Sequence, residues 1–330
     1  MSVDRVREAP AVVIDGRRLP IVEGATVLET LEASGIDAAS GCRAGTCMKC
    51  VLRTDSPLPV GSQKGLREPL VREGAFVSCQ TRPTGDIVLR GAAAPVPLDA
   101  HVRGVETVSK DVARVFLEPA STFEYAPGQY LDVIHPTGAK RSYSIASLPA
   151  SGLLELHVRA VPGGLVSSWL HGRQPGDHLS IQGPFGQCYY LPTDPAQPLL
   201  LVGAGTGLSP LLGIARDALE QGHTGPIDLV HGGLIPERLY LQEELRAFAR
   251  EAPSLRVHHC VLKEATPHEH EGPLDQVALK LAGAQAPDAA RKRAFLCGDD
   301  AIVRTLQRSF FLAGVPSREI FADPFTPAVS

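Results

Sequence analysis

The 330-residue chain is poor in aromatic side chains, 5% of residues with a single Trp, so aliphatic residues must fill its cores. It has no surplus of basic charge: 32 Lys and Arg against 36 Asp and Glu give a formal net charge of −4. That balance excludes a strongly basic nucleic-acid binder, and no basic run marks a membrane-surface anchor. No stretch approaches the ~18 apolar residues of a transmembrane helix. The opening residues, Met1 to Glu8, are charged with no apolar segment behind them. No secretory leader is therefore expected, and a cytoplasmic location is. The remainder, 44% hydrophobic and 21% charged, is the make-up of an ordinary folded chain. At ~100–200 residues per domain, its length suggests two or three domains.

Three textures follow one another along the chain. Residues 1–92 hold Cys42, Cys47, Cys50 and Cys79, four of the seven cysteines. In a cytosolic chain such thiols point to metal or redox chemistry rather than disulfides. Within this segment Val12–Val22 reads as a hairpin turned at Asp15-Gly16, and Thr26–Glu29 as a capping box opening a short helix that stops at Gly35. Small residues and prolines over 93–100 read as a linker. Residues 101–195 show short alternating runs broken by turns, the pattern of an antiparallel sheet or barrel. From 196 to 330, buried-strand runs such as Leu199–Val202 and Ile227–Val230 alternate with helical stretches, the βαβ rhythm of a parallel sheet.

Cys42, Cys47 and Cys50 are spaced C-x4-C-x2-C, with Cys79 alone farther on. This is plant-type [2Fe-2S] spacing. Each iron takes two thiolates and two bridging sulfides; one tight loop supplies three ligands and another part of the fold the fourth. The small residues of Ser40–Cys47 let backbone N–H groups reach the sulfurs. A four-cysteine zinc site usually presents two similar pairs instead. With its flanking residues, the segment resembles the ferredoxin domain of oxygenase reductases, a β-grasp fold. It departs from that family at Met48, where Gly is common.

Arg141-Ser142-Tyr143-Ser144 ends a predicted strand and offers a cation, a flat ring and hydroxyls. Gly163-Gly164-Leu165-Val166-Ser167 reads as a glycine turn entering a helix whose free N–H groups suit a pyrophosphate. With Pro127–Tyr130 and Gly183–Gly186 in the same order, these stretches resemble the ferredoxin–NAD(P)+ reductase superfamily and its antiparallel flavin-binding barrel. The resemblance implies FAD, with Arg141 on its pyrophosphate, Tyr143 on the isoalloxazine and Ser144 near N5. It implies that Gly164 and Ser167 complete the phosphate site, and that His157, Val158 and Arg159 line the flavin through backbone groups.

Gly203, Gly205, Thr206, Gly207 and Pro210 lie between a strand and a helix, where glycines and helix N–H groups can receive a pyrophosphate. The strict G-x-G-x-x-G pattern fails at Leu208, but GxGxGxxP is what the superfamily shows. Cys297-Gly298-Asp299 ends a later strand and resembles the family's Cys-Gly element, which places Cys297 beside the nicotinamide; Asp299 stands where Pro is usual. His231–Arg238, after the second strand, offers one Arg beside one Glu and no cluster for a 2′-phosphate, so NADH is preferred to NADPH.

The modules together resemble the NADH-dependent reductase component of bacterial multicomponent oxygenases. A β-grasp ferredoxin, an antiparallel FAD-binding β-barrel and a Rossmann-like parallel-sheet domain make a multidomain α+β and α/β chain. NADH delivers two electrons as hydride, the cluster accepts one, and the flavin between them can hold both. The resemblance implies flow from NADH through FAD and the cluster to a terminal oxygenase or hydroxylase component, with no nucleic acid or membrane partner. The same chain of cofactors could instead serve a non-oxygenase iron–sulfur enzyme such as a deoxysugar dehydratase, or a redox sensor without turnover. His258-His259-Cys260 in a strand and His268–Glu271 in a polar loop are set aside as metal sites. Cys188 reads as structural, while Phe321 and Phe325 are open between covering the flavin and core packing.

Overall fold

The computed structural model describes residues 9–281 and 289–325. The chain divides into two units, one ending at Pro95 and the other beginning at Val96. In the first, β1 (Ala11–Ile14) and β2 (Arg17–Pro20) form the hairpin. Asp15 and Gly16 sit at φ 48° and 74°, the left-handed pair whose twist matches the flanking strands. α1 (Val27–Ala33) opens in the capping box: the Thr26 hydroxyl accepts the Glu29 N–H at 3.2 Å, and the Glu29 carboxylate accepts the Thr26 N–H at 2.7 Å. β3 (Val51–Thr54), α2 (Glu68–Arg72), β4 (Ala75–Val77) and β5 (Ile87–Arg90) complete a sheet in the order β2-β1-β5-β3-β4. β1 and β5 are parallel, and α1 lays Val27 and Leu31, one turn apart, onto a core with Val12, Phe76 and Ile87. This is a β-grasp fold.

The linker is shorter than residues 93–100. Ala93 is buried in the ferredoxin-like core and its carbonyl accepts the Ala39 N–H at 3.1 Å, while β6 already begins at Leu98. Alanine serves equally as spacer and as core filler, so composition does not separate the two.

In the second unit, β6 (Leu98–Thr107), β7 (Val112–Pro119), β8 (Tyr130–Ile134), β9 (Lys140–Ser144), β10 (Leu154–Arg159) and β11 (His178–Phe185) form an antiparallel sheet in the order β10-β7-β6-β11-β8-β9. A bridge between Ile145 and Leu156 joins its two edges and closes the barrel. α3 (Leu165–His171) packs Val166 and Leu170 into the barrel core. A parallel sheet follows, built from β12 (Leu199–Ala204), β13 (Ile227–Gly233), β14 (Leu255–Val261), β15 (His270–Glu271), β16 (Arg293–Asp299) and β17 (Ile320–Phe325). Its order is β15-β14-β13-β12-β16-β17. α4 (Leu208–Glu220) and α5 (Gln242–Glu251) cover one face, and α6 (Leu274–Leu281) and α7 (Asp300–Leu312) the other.

The strand order reverses between β12 and β16, and open α/β sheets bind ligands at the carboxyl ends of strands flanking such a reversal. α4 carries this edge of the sheet to the barrel. Ser209, Gly213 and Arg216 share one helix face by their spacing. The Ser209 hydroxyl donates to the Ser144 carbonyl at 2.9 Å, and Arg216 donates to the Ala146 carbonyl at 2.9 Å. Between them, a Cβ on Gly213 would lie 2.7 Å from the Ile145 carbonyl oxygen. Only glycine lets helix and barrel backbone approach this closely.

Candidate functional site

In the ferredoxin-like unit, the four cysteines meet as two pairs. The Cys42 N–H donates to the Cys47 sulfur at 3.4 Å, and Cys50 and Cys79 are hydrogen-bonded thiols, 3% and 6% exposed. The N–H groups of Ala44, Thr46 and Cys47 each donate to the Cys42 sulfur at 3.4 Å, and the Thr46 hydroxyl at 3.2 Å. The hydrogen bond from the Cys47 thiol, then those of Thr46, Cys47 and Ala44, push the Cys42 thiol down to about 4 against the opposing effect of burial. The Cys50 thiol chiefly pushes Cys79 down to about 6, while Cys47 and Cys50 are raised. Hydrogen bonds between the close thiols and from the loop N–H groups favour loss of a proton, and thiolate is the form a metal requires. Among the described residues, no three His, Cys, Asp or Glu side chains converge on one point able to hold a single ion. Two pairs suit two irons with two thiolates each, the donor set of a [2Fe-2S] cluster. Met48 adopts φ 57°, a left-handed conformation that glycine reaches freely and a side chain only at a steric cost, so the backbone at this position is one that favours Gly.

In the second unit, a cleft of about 1180 Å³ runs between the barrel and the carboxyl edge of the parallel sheet. β9 presents Arg141, Ser142, Tyr143 and Ser144 to it. The one hydrogen bond of Arg141 among the described residues is to the Lys140 carbonyl at 2.7 Å, so its charge is free for an anion. Burial raises the Tyr143 phenol, which stays neutral. Gly164, Leu165, Val166 and Ser167 line the cleft at the start of α3, which no side chain caps. A cation facing free helix N–H groups fits the pyrophosphate of FAD.

Across the cleft, Gly205, Thr206 and Asp299 line the sheet side. A Cβ on Gly205 would lie 2.8 Å from the Arg159 guanidinium, so this cation covers the loop. Gly203 and Gly207 do not line the cleft; a Cβ on Gly207 would lie 2.3 Å from the Cys297 carbonyl oxygen. Their glycine character serves loop-to-strand packing. Val158 points into the barrel core while its neighbours His157 and Arg159 face the cleft, as strand alternation requires. Gly163, Pro210 and Gly298 support the turns without lining it. Asp299, standing in place of Pro, N-caps α7 by accepting the Ala301 N–H at 3.0 Å.

Cys297 is fully buried, its sulfur 3.6 Å from that of Cys188, and burial raises its thiol well above the usual range. Its register partner on β17 is Asp323. The Ser144 hydroxyl donates to this carboxylate at 2.9 Å. Burial pushes Asp323 up to about 6, opposed by that hydrogen bond. Asp323 was not singled out from the sequence, where no local motif marks it, and Cys188, read there as structural, lies against Cys297 in the core. The His157 ring is satisfied on both sides, by the Tyr240 hydroxyl at 2.8 Å and by Glu155 at 3.0 Å. Burial would raise Glu155, but His157 and Arg216 outweigh it and hold the carboxyl down to about 2. This network fastens α4 and Tyr240 to the barrel beside the cleft. Phe321 stacks on Phe295 at 5.5 Å within the core, whereas Phe325 lines the cleft. Arg238, the single Arg of the loop after β13, donates to Asp111 at 2.6 Å.

Thiol pairs in one unit and a two-sided flavin and coenzyme cleft in the other define an iron–sulfur flavoprotein oxidoreductase that transfers electrons from a nicotinamide coenzyme. The chain matches models of the 2Fe-2S iron-sulfur cluster binding domain over residues 12–84, the oxidoreductase FAD-binding domain over 99–190 and the oxidoreductase NAD-binding domain over 201–308. It is 32% identical over 324 residues to the ferredoxin–NAD(P)+ reductase component of the naphthalene 1,2-dioxygenase system of Pseudomonas putida, covering 95% of this chain and 97% of that protein. It is 33% identical to the reductase subunit of an Amycolatopsis aromatic O-demethylase, covering 96% and 99%. The crystal structure of the Amycolatopsis cytochrome P450 reductase GcoB superposes with a TM-score of 0.71 at 31% identity, covering 97% and 99%. The chain belongs to the family of reductase components of oxygenase systems, and its cofactors are a [2Fe-2S] cluster, FAD and NAD(H).

Proposed function

We propose that this chain draws electrons from NADH in the cleft and passes them, through FAD and the [2Fe-2S] cluster, to the terminal oxygenase or hydroxylase component of a multicomponent oxygenase. The observation that carries this reading is one chain holding both a paired-thiol site and a cleft with an unneutralised cation facing free helix N–H groups. Relatives named as components of naphthalene dioxygenase and aromatic O-demethylase systems support the choice of acceptor. When bound, FAD takes two electrons from NADH and releases them singly to a one-electron cluster.

The chain's own residues bind and orient. In this reading the cluster belongs to residues 1–92, FAD to 101–195 and the coenzyme to 196–330. Cys42, Cys47, Cys50 and Cys79 ligate iron. Arg141, Gly164 and Ser167 hold the FAD pyrophosphate, and Tyr143 packs on the ring system. Gly205, Thr206 and Arg159 receive the coenzyme pyrophosphate. Ser144 is held at the reacting end by Asp323, with Cys297 behind it. No strong acid or base is required, since hydride transfer depends on close, aligned approach of two rings. The engagement of Arg238 by Asp111 supports NADH over NADPH, because a 2′-phosphate finds that cation already paired. None of the seven cysteines forms a disulfide, which suits the reducing cytosol. No described helix is long and apolar enough to cross a membrane.

An anaerobic dithionite titration tests the reading. Uptake should be two electrons for the flavin plus one for the cluster per chain, with iron and sulfide present in equal amounts. A colourless reconstituted protein, or one holding zinc in place of iron, would refute it.

A further inference from the structure

The parallel-sheet region carries a second, smaller cavity of about 360 Å³ that shares no lining residue with the coenzyme cleft. It is lined by Arg246, Ala249 and Arg250 of α5, Val257 and His259 of β14, and His268 of the loop before β15. The fold therefore brings together one member of each histidine-rich stretch set aside as a metal site. Strand alternation separates the others: His258 faces the opposite side of the sheet and bonds Asp228 at 3.0 Å.

His259 is 5% exposed, and neither ring nitrogen has a hydrogen-bond partner among the described residues. An unmet polar group at such a position is costly, so an occupant able to bond it is favoured. The neighbours decide the sign of that occupant. Arg246 and Arg250 stand one helical turn apart, where like charges repel. Arg246 is engaged by Glu243 and Gln242, while Arg250 has no partner among the described residues. Glu269, next to His268, turns its carboxylate to the Thr266 N–H at 2.8 Å and to the Thr266 hydroxyl. Burial, helped by Arg246, favours the neutral His259 ring, which still presents one N–H donor. Two histidines alone would suit a metal cation, but two guanidinium groups in the same wall repel one and attract an anion.

We propose that this cavity is a binding site for a small oxyanion of the phosphate class, held by Arg250 and Arg246 and by the N–H of His259, with His268 at the rim. The test is isothermal titration of the FAD-loaded, full-length protein with inorganic phosphate. Excess NAD+ occupies the cleft, and chloride keeps the ionic strength constant. Wild-type protein should show one saturable site per chain, and Arg250→Gln should weaken it about tenfold, the loss of roughly one charge-assisted bond. Because Arg250 is exposed, that variant should retain its rate of NADH-dependent ferricyanide reduction, which reports an intact fold and separates failure here from failure of the reductase assignment. His259→Leu should abolish the same site. Absence of saturable uptake, Arg250→Gln binding as tightly as wild type, or displacement of phosphate by zinc at the histidines would each overturn the proposal.

Discussion

Asp323 is a buried group whose titration weighs on the fold of the second unit. Its carboxyl is pushed up to about 6 from an ordinary 3.8. Between those values the folded chain holds a proton that the unfolded chain has released, so stability falls as pH rises through roughly 4 to 6. At about 1.36 kcal/mol per pK unit, the two-unit shift means that the charged carboxylate costs about 3 kcal/mol above pH 6. Asp323→Asn keeps the shape and an oxygen to accept the Ser144 hydroxyl but cannot ionise. The variant should match wild type near pH 4 and exceed it at pH 8 by up to about 3 kcal/mol. Trp169, the single Trp of the chain, lies in α3 and reports this unit alone. Urea unfolding of FAD-free protein, followed by its fluorescence at the two pH values, measures the difference. An equal gain at both pH values, or a loss at pH 8, would refute the reasoning.

Four further outcomes are expected. Cys79→Ser should abolish cytochrome c reduction while sparing flavin-level ferricyanide reduction by NADH; loss of both would contradict the order of carriers. Ser144→Ala should slow flavin reduction in stopped flow more than it weakens FAD retention, because the hydroxyl faces Asp323 rather than the phosphate-binding end of the cleft. Gly213→Ala should destabilise the second unit by about 1–3 kcal/mol, the usual cost of overpacking, since its Cβ would meet the Ile145 carbonyl at 2.7 Å. Thr26→Ala should cost the ferredoxin-like unit about 1 kcal/mol through loss of the cap, measured by chemical denaturation of the cluster-loaded protein.

The four cysteines that meet as two pairs, and the Arg141–Ser144 stretch and glycine loop after β12 that reach the cleft, stood out along the chain, because ligation and phosphate binding need particular residue types at short spacing. The alternating runs of the barrel and the βαβ rhythm were equally legible, since periodicity follows from which face of an element is buried. Local pattern could not say which glycines face the ligand. Gly205 lines the cleft, but Gly207 is glycine because the Cys297 carbonyl passes beside it. It also could not divide Phe321 from Phe325, which differ only in their position along one strand.

Cofactor identity and the order of modules thus lay in residues close together in the chain. The hydrogen bond from Ser144 to Asp323 joins positions 179 residues apart, and the Cys188–Cys297 contact positions 109 apart. Such neighbours arise when β17 is laid beside β16 and α4 docks on the barrel through Gly213. The burial that shifts Asp323, the network that fastens His157, and the meeting of His259 with two arginines exist only once those elements pack, so only the folded chain could decide them.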